Sequence, residues 1–160
     1  MAIDNSIDRL HPDLARLYTE AKARYIAAHP AGLKPRLGET YRSMAVQEAY
    51  YAQGRKSLTE INNLRHIAGL NPIGLVEAKN AITKAKPGQS AHNFLPARAF
   101  DVQLVKPDGN IDWTEANYEA FAGYVKLAAD LLKVAVSQGA YWVGFRDYPH
   151  TELKGWATMR

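Results

Sequence analysis

The chain has 160 residues, of which 47% are hydrophobic, so it is long enough to bury the core of one compact domain and too short to favour a second. It contains no cysteine, which excludes disulfide frameworks, thiolate metal sites and cysteine nucleophiles, and any transition metal must therefore be bound by His, Asp or Glu. The formal net charge of +4 suits contact with a polyanion, but the Lys and Arg residues are spread along the chain without the basic face typical of nucleic-acid-binding proteins.

The N-terminal half is predicted to be mainly helical. Pro12 suits a first helical position, and apolar residues recur at helical spacing through residues 10–25. Ser43 is a suitable N-cap, and Ser57 with Glu60 forms a capping-box pattern. After the first helix we therefore expect a short strand over residues 36–41 and helices over residues 44–53, 57–69 and 73–81.

The C-terminal half combines strands with one long helix. Residues 99–105 alternate apolar and polar side chains, which predicts a half-buried strand. Residues 115–138 have helical periodicity up to Gly139, with apolar residues through Leu131 and Leu132 expected to face inward. Residues 141–153 are rich in aromatic and β-branched residues and contain a proline, as an edge strand with an internal turn does. The order of elements predicts an α+β fold, with a small mainly antiparallel sheet flanked by helices.

Four residues in this half suggest a metal site with an adjacent base. His92 precedes the strand over residues 99–105, and Asp101 lies on the more polar face of that strand. His150 begins the next predicted strand, and Asp147 precedes it by three residues, a separation that suits a general base beside a metal ligand. Spacing alone leaves the ordinary alternatives open, namely a surface histidine, a solvated aspartate and a turn residue before a proline.

Three segments resemble the zinc D,D-peptidase and L-alanyl-D-glutamate peptidase family. They are TYRSMAVQEAYYAQGR (residues 40–55), AKPGQSAHNFLPARAFDV (residues 85–102) and DYPHTEL (residues 147–153). The family includes bacterial D-alanyl-D-alanine carboxypeptidases and several phage endolysins, and it shares its fold with the Hedgehog signalling domain. The similarity extends over nearly the whole chain, with the motifs in the family's order.

The resemblance implies a role for each matching residue. By this resemblance the zinc ligands are His92, Asp101 and His150, the catalytic acid/base is Asp147, Arg42 orients substrate and stabilises the oxyanion, and Ser90 orients the site. Two departures are evident: about two extra residues separate His92 from Asp101, and Thr151 replaces the aromatic residue that usually follows the last ligand. Glu152 lies on the same strand face as His150 and is a candidate for supporting that ligand.

The resemblance leads us to expect a single catalytic domain over residues 1–160, without a separate wall-binding domain. We expect a phage-type, zinc-dependent endolysin that cleaves the L-alanyl-D-glutamate bond of the peptidoglycan stem peptide. Because residues 1–6 resemble no export signal and no run is long and apolar enough to span a membrane, we expect the protein to stay in the host cytoplasm until its release to the cell wall. We also expect it to be a monomer.

Three alternatives remain open. A D-alanyl-D-alanine carboxypeptidase is the nearest, although it would normally need export. A non-catalytic, zinc-stabilised cell-wall binding module is possible on the same fold, and a nucleic-acid-binding protein would show salt-dependent DNA affinity without a metal requirement. Outside the proposed site, we expect His66 to be solvated and His11 and His29 to lie at helix ends. Tyr141, Trp142 and Phe145 could line a glycan-peptide groove, but aromatic clusters near a small sheet are more often core, and we expect them to be mainly core residues. We expect the tail from Trp156 to fray.

Overall fold

The computed structural model describes residues 3–160, and this range contains five α-helices and five β-strands. The helices are α1 (Pro12–Ala28), α2 (Met44–Ala52), α3 (Leu58–Ile67), α4 (Leu75–Ala78) and α5 (Glu115–Leu132). The strands are β1 (Lys34–Glu39), β2 (Ala99–Val105), β3 (Ile111–Asp112), β4 (Val136–Gln138) and β5 (His150–Leu153). Met1 and Ala2, which begin the segment predicted to carry no export signal, lie outside the described residues.

The five strands form one sheet in the order β1-β2-β5-β4, and β3 pairs with β2 beside this path. All the strand pairs in the described part of the chain are antiparallel. The predicted α+β fold, with a small antiparallel sheet and flanking helices, is therefore confirmed. No helix between residues 3 and 160 combines the length and the apolar character needed to cross a bilayer.

Helices α1 and α5 pack together and cover one face of the sheet. Leu14 and Leu17 of α1, Phe121 of α5 and Phe100 of β2 are almost completely buried in this core. Along β2 the alternate residues Phe100, Val102 and Leu104 face the core, because successive side chains of a strand point to opposite faces. Asp101 therefore lies on the opposite face of the sheet, away from α1 and α5.

Helices α2, α3 and α4 form a smaller cluster beside the sheet. Ile61 is fully buried there against Ala52 and Ala78. The predicted capping box is present, with Ser57 accepting from the backbone of Glu60 and the Glu60 carboxylate accepting from the backbone of Ser57. The helix predicted over residues 73–81 is reduced to the four residues of α4.

The long helix is shorter than predicted. α5 ends at Leu132, because Lys133 adopts the left-handed conformation with a φ of 57° and cannot continue the helix. The last residues of the predicted helix instead form β4, an edge strand of the sheet. Leu131, expected to face inward, is 54% exposed.

The last predicted strand was wrongly placed at the sheet edge. β5 pairs with β2 on one side and with β4 on the other. Pro149 does not prevent this arrangement, since it immediately precedes the strand and its missing N–H is not required in the ladder. The segment between Gly139 and Pro149 is a 3-10 turn followed by a loop, not a strand.

Candidate metal centre

His92, Asp101 and His150 converge on the sheet face opposite the helical core. His92 lies in a 3-10 turn, Ala91–Asn93, just before β2. Asp101 of β2 and His150 of β5 are directly paired across the two strands. One ligand atom from each of the three residues lies within 4.8 Å of the others, so the group can hold a single metal ion.

The imidazole of His92 is held with one nitrogen free. Its Nδ1 lies 2.7 Å from the carbonyl oxygen of Thr40, which can only accept, so Nδ1 carries the proton. Its Nε2 lies 3.4 Å from Asp101 Oδ1 and, among the described residues, is the one buried side-chain polar atom without a hydrogen-bond partner. Buried polar atoms are nearly always paired, so an unpaired imidazole nitrogen that faces a carboxylate fits the role of a metal ligand.

His150 and Asp101 are strongly coupled. His150 Nδ1 lies 3.0 Å from Asp101 Oδ1. Burial lowers the pKa of His150, but hydrogen bonds with Asp101 and Glu152 outweigh it and raise that pKa to about 10. Burial would likewise raise the pKa of Asp101, yet the interactions with His92 and His150 keep that pKa well below its usual value. Two imidazole nitrogens and one carboxylate oxygen are a ligand set that fits a catalytic zinc ion, with a fourth position left for water.

The three ligands border a cavity of about 750 Å³. Arg42, Ser90 and Asp147 line the same cavity, so all six residues singled out in the sequence are brought together there. Phe145 is 71% exposed and lines the cavity with the partly buried Trp142. The expectation that these aromatic residues are mainly core was therefore wrong, and Tyr141 is also 49% exposed.

Backbone hydrogen bonds hold Asp147 next to His150, the third candidate ligand. Its amide donates to the carbonyl of Gly139 at 3.1 Å, and its carbonyl accepts from the amide of His150 at 3.1 Å. Burial, and then the negative charge of Asp101, raise the pKa of the Asp147 carboxyl above its usual value. A carboxyl group with a raised pKa, beside a metal site and open to a cavity, is suited to accepting and returning protons.

Arg42 is fixed by an ion pair at the cavity wall. Its guanidinium is bound to the Glu39 carboxylate and donates to Gln47 Oε1 at 3.0 Å, and it stacks on the ring of Tyr50 at 4.9 Å. Burial disfavours the charge of Arg42, but Glu39 compensates and the pKa of Arg42 is raised. No pattern in the sequence selects Glu39 or Gln47, because only the fold brings them to the arginine.

Ser90 is the N-cap of the 3-10 turn that carries His92. Its Oγ accepts from the amide of His92 at 3.3 Å, and the side chain of Asn93 completes the same turn. The side-chain Nδ2 of Asn93 also donates to the carbonyl of Arg42 at 3.0 Å. The turn that carries His92 is thus tied to the segment that carries Arg42.

The lengthened link between His92 and Asp101 is anchored at both sides. Ala97 exchanges backbone hydrogen bonds with Arg9 and His11, at 2.7 and 2.9 Å. Arg98 stacks on Phe94 and donates to the carbonyl of Trp156 at 2.7 Å. The extra residues therefore contact other parts of the chain and do not separate the three ligands. The tail around Trp156, predicted to fray, packs against this segment.

The histidines expected to lie outside the site do so. His11 is the N-cap of α1, where its Nδ1 accepts from the backbone of Asp13 at 3.2 Å, and His29 is the C-cap of the same helix. His66 is exposed on α3.

Comparisons with known proteins show what the chain as a whole is similar to. No family model matches the sequence. The peptidoglycan L-alanyl-D-glutamate endopeptidase CwlK of Bacillus subtilis (strain 168) is 27% identical over 147 residues, which are 90% of this chain and 73% of that protein. The crystal structure of the L-Ala D-Glu endopeptidase ChiX of Serratia marcescens matches with a TM-score of 0.56 and 23% identity, over 92% of this chain and 82% of that one. The three motifs predicted a relation to L-alanyl-D-glutamate peptidases. That prediction is confirmed, because the chain is related to these enzymes over most of its length.

Proposed function

We propose that this chain is a zinc-dependent peptidase that cleaves the L-alanyl-D-glutamate bond of the peptidoglycan stem peptide. The observation that carries the proposal is the unpartnered Nε2 of His92, which faces Asp101 and His150 on a cavity shared with Asp147. The choice of bond is supported by the similarity to CwlK, whose described activity is that cleavage.

His92, Asp101 and His150 would hold the zinc ion. When bound, zinc supplies Lewis-acid chemistry, since it lowers the pKa of water to about 7 and polarises a carbonyl group. The two imidazole rings lie with their centroids 5.2 Å apart and are themselves held by Thr40 and Glu152. Neighbouring groups therefore fix the orientation of both rings.

Asp147 would move the proton in this reaction. Its carboxylate accepts a proton from the attacking water and returns it to the nitrogen of the leaving amine, and its raised pKa suits both steps. Arg42 would bind the carbonyl oxygen as negative charge develops on it, and removing such a donor typically costs about 3 kcal/mol of transition-state stabilisation. Glu39 and Gln47 orient the guanidinium for this role.

We further propose that the enzyme acts as a monomeric, phage-type endolysin that passes from the host cytoplasm to the cell wall. The net charge of +4 supports this role, because cell walls and bacterial surfaces are anionic. Lysis of host cells on co-expression with a membrane-permeabilising protein, and lack of lysis by the chain alone, is the expected result. Lysis without permeabilisation would contradict the cytoplasmic location.

Digestion of purified peptidoglycan tests the activity. The zinc-loaded protein should release fragments with new L-Ala carboxyl and D-Glu amino ends, as measured by mass spectrometry. Asp147→Asn should bind zinc and cleave at least about 100-fold more slowly, the loss typical of a general base. Asp130→Asn, at an exposed acid of α5, is the matched control and should cleave normally.

The other outcomes separate the alternatives. Release of free D-Ala would identify a D-alanyl-D-alanine carboxypeptidase. An intact wall despite bound zinc would indicate a binding module without catalysis.

A further inference from the structure

Both ring nitrogens of His150 have carboxylate neighbours. Nδ1 lies 3.0 Å from Asp101 Oδ1, inside the ligand group, and Nε2 lies 2.8 Å from Glu152 Oε2, on the far side of the ring. The side chain of His150 is only 8% exposed, and its ring packs beside that of Trp142 at 5.3 Å. Its orientation is thus fixed by packing and by one hydrogen bond at each end.

A neutral imidazole can bind a metal through only one nitrogen, and the other nitrogen then carries the proton. In His150 the nitrogen that faces Asp101 is Nδ1, so metal binding leaves the proton on Nε2. The acceptor for that N–H is Glu152. Such outer partners fix the tautomer and the ring orientation of ligand histidines.

His92 is arranged in the opposite sense. Its Nδ1 donates to the backbone carbonyl of Thr40, and its Nε2 faces Asp101. The two histidines therefore present different nitrogens to the same centre. The N–H of His92 is accepted by a main-chain carbonyl, which any residue at position 40 would supply. The N–H of His150 is accepted by a side chain, so this hydrogen bond depends on which residue occupies position 152.

The sheet holds Glu152 in place for this contact. Glu152 is two residues after His150 on β5, which puts both side chains on one face of the strand. It is paired with Ala99 of β2 and with Ser137 of β4, and its side chain is 19% exposed. Within the described part of the chain, His150 Nε2 is the hydrogen-bond partner of its carboxylate, so no other bond accounts for its position.

We propose that Glu152 is a positioning residue that holds His150 in the tautomer that offers Nδ1 to the metal. This inference rests on the proposed metal centre and adds a determinant of its affinity and geometry. It assigns no contact between Glu152 and substrate.

Zinc affinity tests this role without any substrate. Competition with a chromophoric chelator should show zinc binding about 10- to 100-fold weaker in Glu152→Ala than in the wild type, the range usual for the loss of such a partner. Glu152→Gln keeps an acceptor oxygen at the same place and should restore most of the affinity. Glu20→Ala, which removes an exposed acid of α1, should bind zinc as the wild type does.

Nitrogen NMR of histidine-labelled, zinc-loaded protein reads the tautomer directly. We expect His150 to have its proton on Nε2 and its metal on Nδ1, with the reverse in His92. Binding of His150 through Nε2, or unchanged zinc affinity in Glu152→Ala while His150→Ala loses zinc, would overturn the positioning role alone. Unchanged affinity in both variants would overturn the metal centre, and with it this role.

Discussion

The backbones of Gly139 and Asp147 are in direct contact. The Asp147 amide donates to the Gly139 carbonyl at 3.1 Å, and a Cβ at position 139 would collide with the carbonyl of Asp147. Because that carbonyl also accepts from the amide of His150, the contact sets the spacing between the proposed acid/base and the third ligand. Only glycine permits so close an approach.

Gly139→Ala should therefore damage the site as well as the fold. Overpacking against backbone atoms should cost about 1–3 kcal/mol of unfolding free energy, measured in urea. Displacement of Asp147 should slow peptidoglycan hydrolysis on the order of 100-fold. The matched control is Gly123→Ala on α5, where a Cβ meets nothing within 4 Å, and it should stabilise the protein by about 0.5–1 kcal/mol. Equal behaviour of the two variants would contradict the close contact.

Removal of any one metal ligand should empty the centre. Alanine at His92, Asp101 or His150 should reduce bound zinc, measured by elemental analysis after desalting, well below one ion per chain, because two ligands bind zinc far less tightly than three. His66→Ala changes an exposed histidine of α3 and should leave zinc content unchanged. Full occupancy in all three ligand variants would show that the ion is bound elsewhere.

Zinc binding should weaken as the pH falls. The pKa of His150 is raised to about 10, so below that pH the ring is protonated and zinc must displace the proton. The apparent affinity should therefore rise with pH through the neutral range, by up to about tenfold per unit, and should be followed by calorimetry in several buffers to count released protons. An affinity independent of pH, without proton release, would disprove the coupling.

Neutralising Glu39 should disturb Arg42. Glu39→Gln removes one partner of a largely buried ion pair and leaves the guanidinium uncompensated, which should cost about 3 kcal/mol of unfolding free energy. Hydrolysis should slow as well, since Arg42 loses its anchor at the cavity wall. Glu119→Gln breaks the exposed pair with Arg146 and should cost less than about 1 kcal/mol. Similar losses in the two variants would argue against a special role for the buried pair.

Local patterns were sufficient to predict β2, which carries Asp101, and the starts of α2 and α3. The alternation along β2 placed Asp101 on the polar face, and the capping signals of Ser43 and Ser57 marked the starts of α2 and α3. The pattern of the sequence did not predict the end of α5. Lys133 ends the helix in a left-handed conformation, which a lysine rarely adopts. Residues 134–138 then continued an apolar helical pattern although two valines there favour a strand.

Contacts between distant segments explain two other errors. The packing of Trp156 depends on Arg98, 58 residues away in sequence, and the pairing of β5 with β4 depends on where the chain returns to the sheet. In the site, His92 donates to the main-chain carbonyl of Thr40. Every residue has such a carbonyl, so the sequence does not indicate which one is the acceptor. The ligand set itself was found through motif resemblance, since spacing in the sequence does not show that three side chains meet.

The cross-strand pairing of Asp101 with His150 makes the site sensitive to insertion in a particular way. Strand side chains alternate in direction, so one residue added within β2 or β5 would turn a ligand toward the helical core. Residues added in the loops that join β2, β3, α5 and β4, by contrast, would leave unchanged which residues of β2 and β5 are opposite each other. Variation in length among related enzymes should therefore accumulate in those loops, while both ligand strands keep their residue count.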